Sequence, residues 1–385
     1  MAKIIIVAKW YPSQENPTHG LFVKEFVKAK ALHNDVIVLY GELTSYRNPR
    51  LPYEITDRVE DGFRTIRFIY KRRLLKLHRI INIIGFAHCF LKLLKEGYRP
   101  DIIHFHEYDA SLSVFVLAKI YHFPLVITEH YTGFVRNILT RSERYLARLV
   151  MRKATVVLPV SDYLRKHLRG YAPNVSMEVV NNIVDTKIFQ LSNPIVKGRD
   201  QAKQMLIVAA LEAKKGISYL LEALGLLKMM RTDFFLNIIG DGTIRLELEE
   251  KAKILGLNDF VHFHGIKLKS EVAEFMSQCD FFVLSSLFET FGCVIIEAMA
   301  CGKPVVVTNI GGPDEIVTPE SGILVESASP EALKNGINYM LDNYYKYSAT
   351  DISRHVGESY SLEYIGQKLN QIYNDILRGS ITQTH

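Results

Sequence analysis

The segment Ser285-Ser-Leu-Phe-Glu-Thr-Phe-Gly-Cys-Val-Ile-Ile-Glu-Ala-Met-Ala-Cys-Gly-Lys-Pro304 decides the fold prediction. Apolar strand candidates at 281–285 and 304–308 flank a loop and a stretch with helical spacing, and this order is typical of parallel strands joined by a crossover helix. If the helix begins near Phe291, the backbone N–H groups of Phe291, Gly292 and Cys293 have no acceptor within it. Such groups form a binding site for an anionic phosphate.

The same alternation of strand and helix candidates runs through the whole chain of 385 residues, in two series. The first series of strand candidates is 4–8, 35–40, 65–70, 102–106, 125–129, 155–160 and 177–180, and the second is 205–211, 234–239, 261–264, 281–285, 304–308 and 322–325. A polar segment with Pro and Gly, 190–200, separates them and is typical of a linker. We therefore predict two Rossmann-like α/β domains with doubly wound parallel sheets, 1–190 and 200–359, and a closing helix at 360–385 that packs back on the first domain.

Composition excludes several other classes of protein. The hydrophobic fraction of 48% is sufficient for two cores. The four cysteines form no CxxC pair and have no histidine at zinc-ligand spacing, so we predict no disulfide and no metal, and expect a reducing cytoplasm. The first residues run directly into a strand candidate, and the longest apolar stretch, 80–94, is interrupted by polar residues, so neither an export signal nor a transmembrane anchor is expected.

Charge is distributed unevenly between the two halves. Residues 1–190 contain 29 Lys and Arg against 17 Asp and Glu, whereas residues 191–385 contain 18 against 24. Basic residues surround an apolar stripe in the first half: the basic set is Lys71, Arg72, Arg73, Lys76, Arg79, Lys92 and Lys95, and the stripe is Leu77, Ile80, Ile81, Ile84, Leu91 and Leu94. This pattern predicts contact with an anionic membrane surface, although an ordinary packed helix explains it as well.

A second basic stripe extends the positive face, with Arg141, Arg144, Arg148 and Arg152 at helical spacing. Nucleic acid is not a predicted partner, because the second half is acidic and no basic strand is interleaved with aromatic residues.

The quoted segment resembles the family-4 retaining glycosyltransferases of GT-B fold. Glu289 and Glu297 are separated by seven residues and are followed by the glycine-containing segments 302–304 and 311–315. Other segments match this family in its order: 20–23, 100–106, 128–130, 160–161, 182–185, 214–216 and 240–242. The resemblance covers nearly the whole chain and implies two Rossmann-like domains that face a central cleft.

In the second domain, the resemblance implies a site for the nucleotide-sugar donor. Glu289 is expected to hold hydroxyls of the donor sugar and to be catalytic, and Glu297 to hold the ribose. The amides around Phe291 and Gly292 are expected to support the sugar and the diphosphate. Lys215 is expected to neutralise the diphosphate.

In the first domain, the resemblance assigns roles to Gly20 and His130. Gly20 is expected to let the backbone approach the phosphates, and His130 to contact the donor sugar near the reacting carbon as a catalytic residue. His104 and His106 point to the same face of a strand and are second-tier candidates, although a pair buried beside a helix explains them equally well.

Two further second-tier candidates lie in the second domain. Lys214 precedes Lys215, and Gly242 closes a Gly-Asp-Gly turn that turn chemistry alone explains. Ala210 occupies the position where this family usually has an Arg that clamps phosphate.

The resulting hypothesis is a metal-independent retaining hexosyltransferase in cell-surface polysaccharide biosynthesis. It takes a UDP- or GDP-linked sugar as co-substrate and a glycan or lipid-linked acceptor, and it works in the cytoplasm or peripherally at the inner face of the membrane. The alternatives are a nucleotide-sugar epimerase of similar architecture and a non-catalytic GT-B scaffold that partners another transferase, for which Ala210 is the best support.

Overall fold

The computed structural model describes residues 1–45, 52–71, 74, 77–191 and 202–381. It divides into two compact units, Met1–Ile183 with Leu362–His385, and Val184–Ser361. The predicted linker, 190–200, lies almost entirely outside the described residues. The segment 184–191 belongs to the second unit, so the first unit ends before the predicted boundary at residue 190.

Each unit contains one sheet. The strands of the first unit are β1 (Lys3–Ala8), β2 (Asp35–Thr44), β3 (Glu54–Glu60), β4 (Phe63–Lys71), β5 (Ile102–His106), β6 (Leu125–Glu129) and β7 (Val156–Pro159), in the order β3-β4-β2-β1-β5-β6-β7. Those of the second unit are β8 (Lys203–Val208), β9 (Phe234–Ile239), β10 (Val261–Phe263), β11 (Phe281–Leu284), β12 (Val305–Asn309) and β13 (Gly322–Glu326), in the order β10-β9-β8-β11-β12-β13.

Helices alternate with these strands and cover both sheets. They are α1 (Leu21–Ala31), α2 (His78–Lys95), α3 (Leu112–Ile120), α4 (Arg141–Arg152), α5 (Asp162–Leu168), α6 (Ile217–Lys228), α7 (Arg245–Ile254), α8 (Lys269–Gln278), α9 (Cys293–Ala300), α10 (Pro330–Asn343), α11 (Ala349–Tyr360) and α12 (Leu362–Leu377). Five of them begin at a serine or threonine whose side chain accepts from a first-turn N–H, namely Ser111, Thr140, Ser161, Ser329 and Ser348 at α3, α4, α5, α10 and α11. The predicted α/β class with two parallel-sheet domains is confirmed.

The first sheet differs from the prediction at both edges. Strand β3 was not predicted, and it pairs antiparallel with β4, so this sheet is not purely parallel. Its charged sequence is compatible with an edge, and Asp57 and Glu60 form ion pairs with Arg64 and Arg67 of β4 at 2.6 Å. The predicted strand 177–180 is not a full strand of the sheet, because it forms one isolated bridge, at Met177, to the short edge strand β7. The N–H groups of residues 178 and 180 still donate to carbonyls of Val157 and Pro159.

In the core of the first unit, α1 and α12 pack against one face of the sheet. Strand β1 is apolar and buried along its length, as expected of a central parallel strand covered on both faces. Val23, Phe26 and Val27 of α1 are buried in the same cluster as Leu369 and Tyr373 of α12. Helix α12, within the closing helix predicted at 360–385, packs in the first unit, whereas residues 360 and 361 belong to the second unit.

The core of the second unit lies on both faces of a fully parallel sheet. Helix α6 packs against α10 on one face, and α9 packs against α11 on the other. Strands β8 and β11 are neighbours in the middle of the sheet, with Phe281 opposite Met205. The loops that follow these two strands therefore start side by side at the carboxyl edge of the sheet, where ligands bind in open α/β folds.

Candidate active site

Lys215 and Glu289, both predicted donor-site residues, meet in the second unit. Lys215 ends a 3₁₀ turn after β8, and Glu289 lies in the loop between β11 and α9. The Lys215 Nζ and the Glu289 Oε1 form an ion pair, and the Ser286 hydroxyl donates to the same Oε1 at 3.0 Å. The Glu289 side chain is 11% exposed and that of Lys215 is 18% exposed, so the pair lies near the surface but is mostly shielded from water.

Backbone contacts bind these two loops together. The Leu287 N–H donates to the Lys214 carbonyl at 2.8 Å, and the Ser285 hydroxyl donates to the Lys215 carbonyl at 3.0 Å. Gly216 follows with φ of 62°, and a Cβ built on it would lie 2.0 Å from the Ser285 carbonyl oxygen. Because only glycine permits this approach, Gly216 is required for the position of Lys215 next to Glu289.

Phe291, Gly292 and Glu297 follow Glu289 in the sequence, at the start of α9 and within it. The helix begins at Cys293, and Gly292 is its N-cap with φ of 103°. Phe291 is buried, with its ring 5.7 Å from that of Tyr360, while Glu297 is partly exposed in the second turn. The first-turn amides have no acceptor within the helix, so they form a partial positive charge one residue after the buried Phe291.

Gly242 and Lys214 lie around the loop that carries Ala210. The Leu211 N–H donates to the Asp241 carbonyl at 2.9 Å, and a Cβ on Gly242 would lie 2.4 Å from the Leu211 carbonyl oxygen. Lys214 forms an ion pair with Glu212 at 2.8 Å. Ala210 itself is exposed. The structure thus brings Gly242 to the Ala210 loop, and turn geometry accounts for this glycine.

The predicted residues of the first unit gather around His130, which directly follows β6. Gly20 is the N-cap of α1 with φ of 72°, and a Cβ on it would lie 2.4 Å from the Trp10 carbonyl carbon. Two turns of α1 present Phe22 and Phe26 to His130, with ring centroids 4.7 and 5.5 Å away. Gly20 and His130 are therefore linked through one helix.

His104 and His106 lie on one face of β5, as the period of two predicts, and both are fully buried beside helices. The Nδ1 of His104 lies 2.6 Å from the Tyr373 hydroxyl and its Nε2 lies 2.7 Å from the Thr128 hydroxyl. The Nδ1 of His106 lies 3.1 Å from the Nε2 of His130. Burial lowers the pKa of both residues well below the usual histidine value.

Lys30 is a member of this cluster that the sequence interpretation missed. Its Nζ lies 2.6 Å from the Nε2 of His106, and the residue is fully buried. A signal was present in the sequence, because Lys30 stands four residues after Phe26 on the apolar face of α1. Burial lowers its pKa well below the usual lysine value, and burial also lowers the pKa of His130, to about 3.

A second cluster, of three carboxylates and one lysine, lies at the carboxyl ends of β1, β5 and β6, and in it Glu107 and Glu129 are buried whereas Lys9 and Asp109 are partly exposed. Lys9 contacts Glu107 and Asp109, each at 2.9 Å, and the Trp10 indole donates to Glu107 at 3.1 Å. Burial alone would lower the pKa of Lys9, but these two carboxylates overcome it and raise the pKa. Glu129 accepts from three backbone N–H groups, those of residues 108, 130 and 131.

Glu129 therefore ties the residues around His130 to the end of β5. Burial, followed by the charge of Glu107, raises the pKa of Glu129 to about 8. The sequence analysis did not single out any member of this cluster, although an acidic residue at the end of an otherwise apolar strand was visible in 125–129.

A cavity of about 660 Å³ opens beside this cluster within the first unit. Its polar lining includes Lys9, Asp109, Glu15 and Glu143, and Trp10 contributes an aromatic wall. Apolar side chains complete it, among them Leu43, Phe86, Leu112 and Leu146. A cavity of this size with a few convergent polar groups has the dimensions and chemistry of a small-molecule or sugar site.

Other predicted features concern metal and membrane. Among the described residues, no group of three or more His, Cys, Asp and Glu side chains is arranged to hold a metal ion. None of the helices in the described part of the chain is long and apolar enough to span a bilayer. Of the predicted basic set, Arg72, Arg73 and Lys76 lie outside the described residues.

Comparison with known proteins agrees with this arrangement. Residues 24–188 match the family model of Glycosyltransferase Family 4, and residues 192–354 match that of Glycosyl transferases group 1. The chain is 30% identical over 275 residues to an uncharacterized glycosyltransferase of Methanocaldococcus jannaschii, which covers 70% of this chain and 73% of the relative.

Two solved structures show the same fold. The sucrose-phosphate synthase from Thermosynechococcus elongatus superposes with a TM-score of 0.78 at 21% identity and covers 98% of this chain and 99% of its own. Anabaena HepE, solved in complex with UDP and glucose, gives a TM-score of 0.74 at 19% identity and covers 97% of this chain and 100% of its own. The chain therefore belongs to the group 1 glycosyltransferases and has the GT-B type of fold.

Proposed function

We propose that this glycosyltransferase transfers a hexosyl unit from a UDP- or GDP-linked sugar to a glycan or lipid-linked acceptor, with retention of anomeric configuration and without a metal. The observation that carries this proposal is the Lys215–Glu289 pair at the N-terminal end of α9, held in place by Gly216. It combines a carboxylate for sugar hydroxyls, a cation for diphosphate and a helix terminus for anions in one unit.

Glu289 is suited to hold the donor sugar. The two donors to its carboxylate, Lys215 and Ser286, both reach Oε1, and in the described part of the chain no group donates to Oε2. The pair thus fixes the orientation of the carboxylate and leaves one oxygen to accept from a sugar hydroxyl. Glu297, on α9, is proposed to hold the ribose.

The leaving diphosphate is proposed to be stabilised by Lys215 and the first-turn amides around Gly292. A preorganised cation and helix dipoles act without reorganisation as negative charge develops on the leaving oxygen. In a retaining reaction of this kind, the acceptor enters on the face that the diphosphate leaves. The bond from the anomeric carbon to phosphate oxygen breaks, the bond to the acceptor oxygen forms, and the acceptor proton passes to the departing phosphate.

The acceptor is proposed to bind in the cavity of the first unit. Glu15, Asp109 and Glu143 can accept hydrogen bonds from sugar hydroxyls, and the Trp10 indole offers an apolar face to a sugar ring. The mixed apolar lining is compatible with an acceptor that carries a lipid.

Contact with the inner face of a membrane is proposed through the N-terminal half of α2. Four large apolar side chains there, Leu77, Ile80, Ile83 and Ile84, are between 45% and 56% exposed. Arg79 lies among them, and the first half of the chain has an excess of basic residues. Apolar burial and attraction to anionic headgroups act together on such a surface. The enzyme is accordingly proposed to work in the cytoplasm, at or near the inner face of the membrane.

The function is tested by incubating the purified full chain with UDP-, GDP-, ADP- and dTDP-linked hexoses, with EDTA and with added magnesium. Calorimetry measures donor binding, and chromatography measures nucleotide release. We expect one donor class to bind and to release nucleotide slowly, equally well in EDTA, with a product whose anomeric coupling in proton NMR matches that of the donor.

Matched variants localise this activity. Glu289→Ala removes the proposed sugar ligand and is expected to lower turnover at least about 100-fold, as loss of a group that stabilises the transition state does. Glu250→Ala removes an exposed glutamate on α7 of the same unit and serves as the control. Full turnover in Glu289→Ala would exclude this residue from the site. Sugar interconversion without nucleotide release would instead identify an epimerase, and absence of donor binding would support the non-catalytic scaffold.

A further inference from the structure

Lys30, His106 and His130 form a continuous hydrogen-bonded chain from the core of the first unit to the end of β6. The Lys30 Nζ is 2.6 Å from the His106 Nε2, and the His106 Nδ1 is 3.1 Å from the His130 Nε2. The two imidazole planes differ by 16°, and their centroids are 5.3 Å apart. That separation is close to the nitrogen-to-nitrogen distance plus the two ring radii, so the rings meet edge to edge through an in-plane hydrogen bond.

The chain is shielded from water, and the nearby Glu129 carboxylate accepts from the backbone N–H of His130 at 2.9 Å. Lys30 and His106 are 0% exposed and His130 is 8% exposed. Lys30 forms no salt bridge with any residue of the described ranges, in contrast to Lys24 and Lys28 on the same helix. Phe26 packs against both imidazoles and against the lysine amine. Groups in such surroundings satisfy their hydrogen bonds with one another, because water is not available as a partner.

Asn182 determines the direction in which the hydrogen bonds run. Its side-chain oxygen is buried, and no donor reaches it among the described residues within hydrogen-bond distance. Burial lowers the pKa of His130, and an interaction with the Asn182 side chain partly opposes this lowering, as an acceptor of an imidazole N–H does. An N–H on the Nδ1 of His130 therefore suits this neighbour, whereas a lone pair there would face an oxygen.

The remaining positions follow from this assignment. If the Nδ1 of His130 carries hydrogen in the neutral ring, its Nε2 is an acceptor. The Nδ1 of His106 must then be the donor to it, and the Nε2 of His106 is an acceptor. Lys30 supplies the hydrogen for that nitrogen, which an amine does in either protonation state. One direction, from Lys30 through His106 to His130, gives both hydrogen bonds of the chain a donor and an acceptor. It leaves the Nδ1–H of His130 for Asn182, although no hydrogen bond at ordinary distance joins these two side chains.

We propose that Lys30 and His106 are positioning residues that fix His130 as the Nδ1-protonated tautomer and occupy its Nε2. With hydrogen on Nδ1 and with Nε2 occupied by His106, His130 has no basic ring nitrogen left and does not remove the proton of the acceptor. This agrees with transfer of that proton to the departing phosphate. The consequence for catalysis rests on the proposed function, whereas the tautomer does not.

The tautomer is measured on the full chain labelled with ¹⁵N-histidine. Long-range ¹H–¹⁵N correlation spectra distinguish a protonated from an unprotonated ring nitrogen, and loss of a signal set in His130→Gln assigns that set. We expect one neutral form with hydrogen on Nδ1 between pH 6 and 8. Hydrogen on Nε2, an averaged pair of tautomers or a charged ring in the wild type would overturn the proposal.

Variants of the chain test whether its neighbours hold His130 in this form. Asparagine at position 106 keeps a donor at the place of Nδ1, whereas leucine removes it, so His106→Asn is expected to preserve the His130 signals and His106→Leu to shift them. Lys30→Met is expected to shift both histidines, and Lys24→Met, on the same helix, to shift neither. Unchanged His130 signals in both Lys30→Met and His106→Leu would refute the positioning role.

Kinetics report the consequence for the reaction. We expect Lys30→Met to lower kcat about 10- to 100-fold, as loss of a group that orients a functional histidine does, with little change in KM for the donor. The kcat of His106→Asn should be closer to that of the wild type than the kcat of His106→Leu. An equal kcat in Lys30→Met and Lys24→Met would show that the tautomer is not used in catalysis. Lack of turnover in the wild type would contradict the proposed function, while the spectra would still decide the tautomer.

Discussion

Replacement of Lys30 by methionine should change the pH dependence of stability of the first unit. Lys30 is 0% exposed, and burial lowers its pKa well below the usual 10.5. Between the lowered pKa and 10.5, the unfolded chain binds a proton that the folded chain does not bind. The free energy of unfolding of the wild type therefore rises with pH in this window, and it stops rising above 10.5. Methionine has a similar shape and no proton to bind.

The size of the effect follows from one linked proton. The slope is at most about 1.4 kcal/mol per pH unit, so the stability of Lys30→Met relative to wild type should fall by up to about 2.7 kcal/mol between pH 7.5 and 9.5. The stability of the variant relative to the wild type is therefore highest at the lower pH, where the wild type must release a proton to fold. Lys24→Met serves as the control, because Lys24 is on the same helix and forms a surface ion pair with Asp61 at 2.7 Å.

Urea unfolding of the full chain, followed by tryptophan fluorescence, gives these free energies. The sequence contains one tryptophan, Trp10, and it lies in the first unit, so its signal reports on the unit that contains Lys30. Midpoints and slopes are compared at each pH, since a change in slope would indicate loss of two-state behaviour. The difference in the free energy of unfolding between Lys30→Met and the wild type is the decisive quantity. If it stays constant within about 0.5 kcal/mol from pH 7.5 to 9.5, the linked proton is absent and the argument is refuted.

Two further predictions concern the second unit. Lys215→Met should destabilise this unit by about 2 kcal/mol, because Glu289 loses its ion-pair partner in a mostly shielded site. The same substitution should cost much less in a Glu289→Gln background, where no charge is left unpaired. Urea unfolding followed by circular dichroism measures this coupling, and additive effects would contradict it. Gly216→Ala should lower the free energy of unfolding by at least about 2 kcal/mol, because φ is 62° and the Ser285 carbonyl oxygen is 2.0 Å from the new Cβ. Gly357→Ala in α11, where no atom lies within 4 Å of the new Cβ, should instead stabilise the unit by about 0.5 to 1 kcal/mol. Similar midpoints for these two variants would disprove the close approach.

Strands buried on both faces could be predicted from the sequence, since their apolar runs have no other explanation. Strands β5, β6 and β9 begin and end at the predicted residues. Strand β3 could not be predicted in this way, because an edge strand with one exposed face tolerates a charged sequence that resembles a loop. The segment 177–180 lies beside β7 and donates two backbone hydrogen bonds to it, but it forms only one isolated bridge and is not a full strand.

The site was predictable where the chemistry lies within one short segment. Glu289, Gly292 and Glu297 stand together in the sequence, and the helix that places them could be predicted from the same residues. The partner of Glu289 lies 74 residues earlier, so their direct contact depends on neighbouring strands and not on a local pattern. Lys30 was missed because a lysine in an apolar stripe is usually explained by an exposed ammonium on a buried stem. Here Lys30 has no exposed surface at all.

Ala210 leaves the second unit with one cation fewer near the proposed diphosphate site than the resembling family has. In the resembling family, an Arg at this position and a Lys nearby share the diphosphate, whereas here Ala210 has no charge and Lys214 is bound to Glu212 at 2.8 Å. Under the proposed function, Lys215 must then both hold Glu289 and contact the phosphates. Because one ammonium has three donors, it can contact a carboxylate and a phosphate oxygen together, provided that both lie on the same side of the loop. We infer that binding of the diphosphate and orientation of the sugar carboxylate are coupled in this chain through a single nitrogen, so a change at Lys215 should affect both donor affinity and turnover.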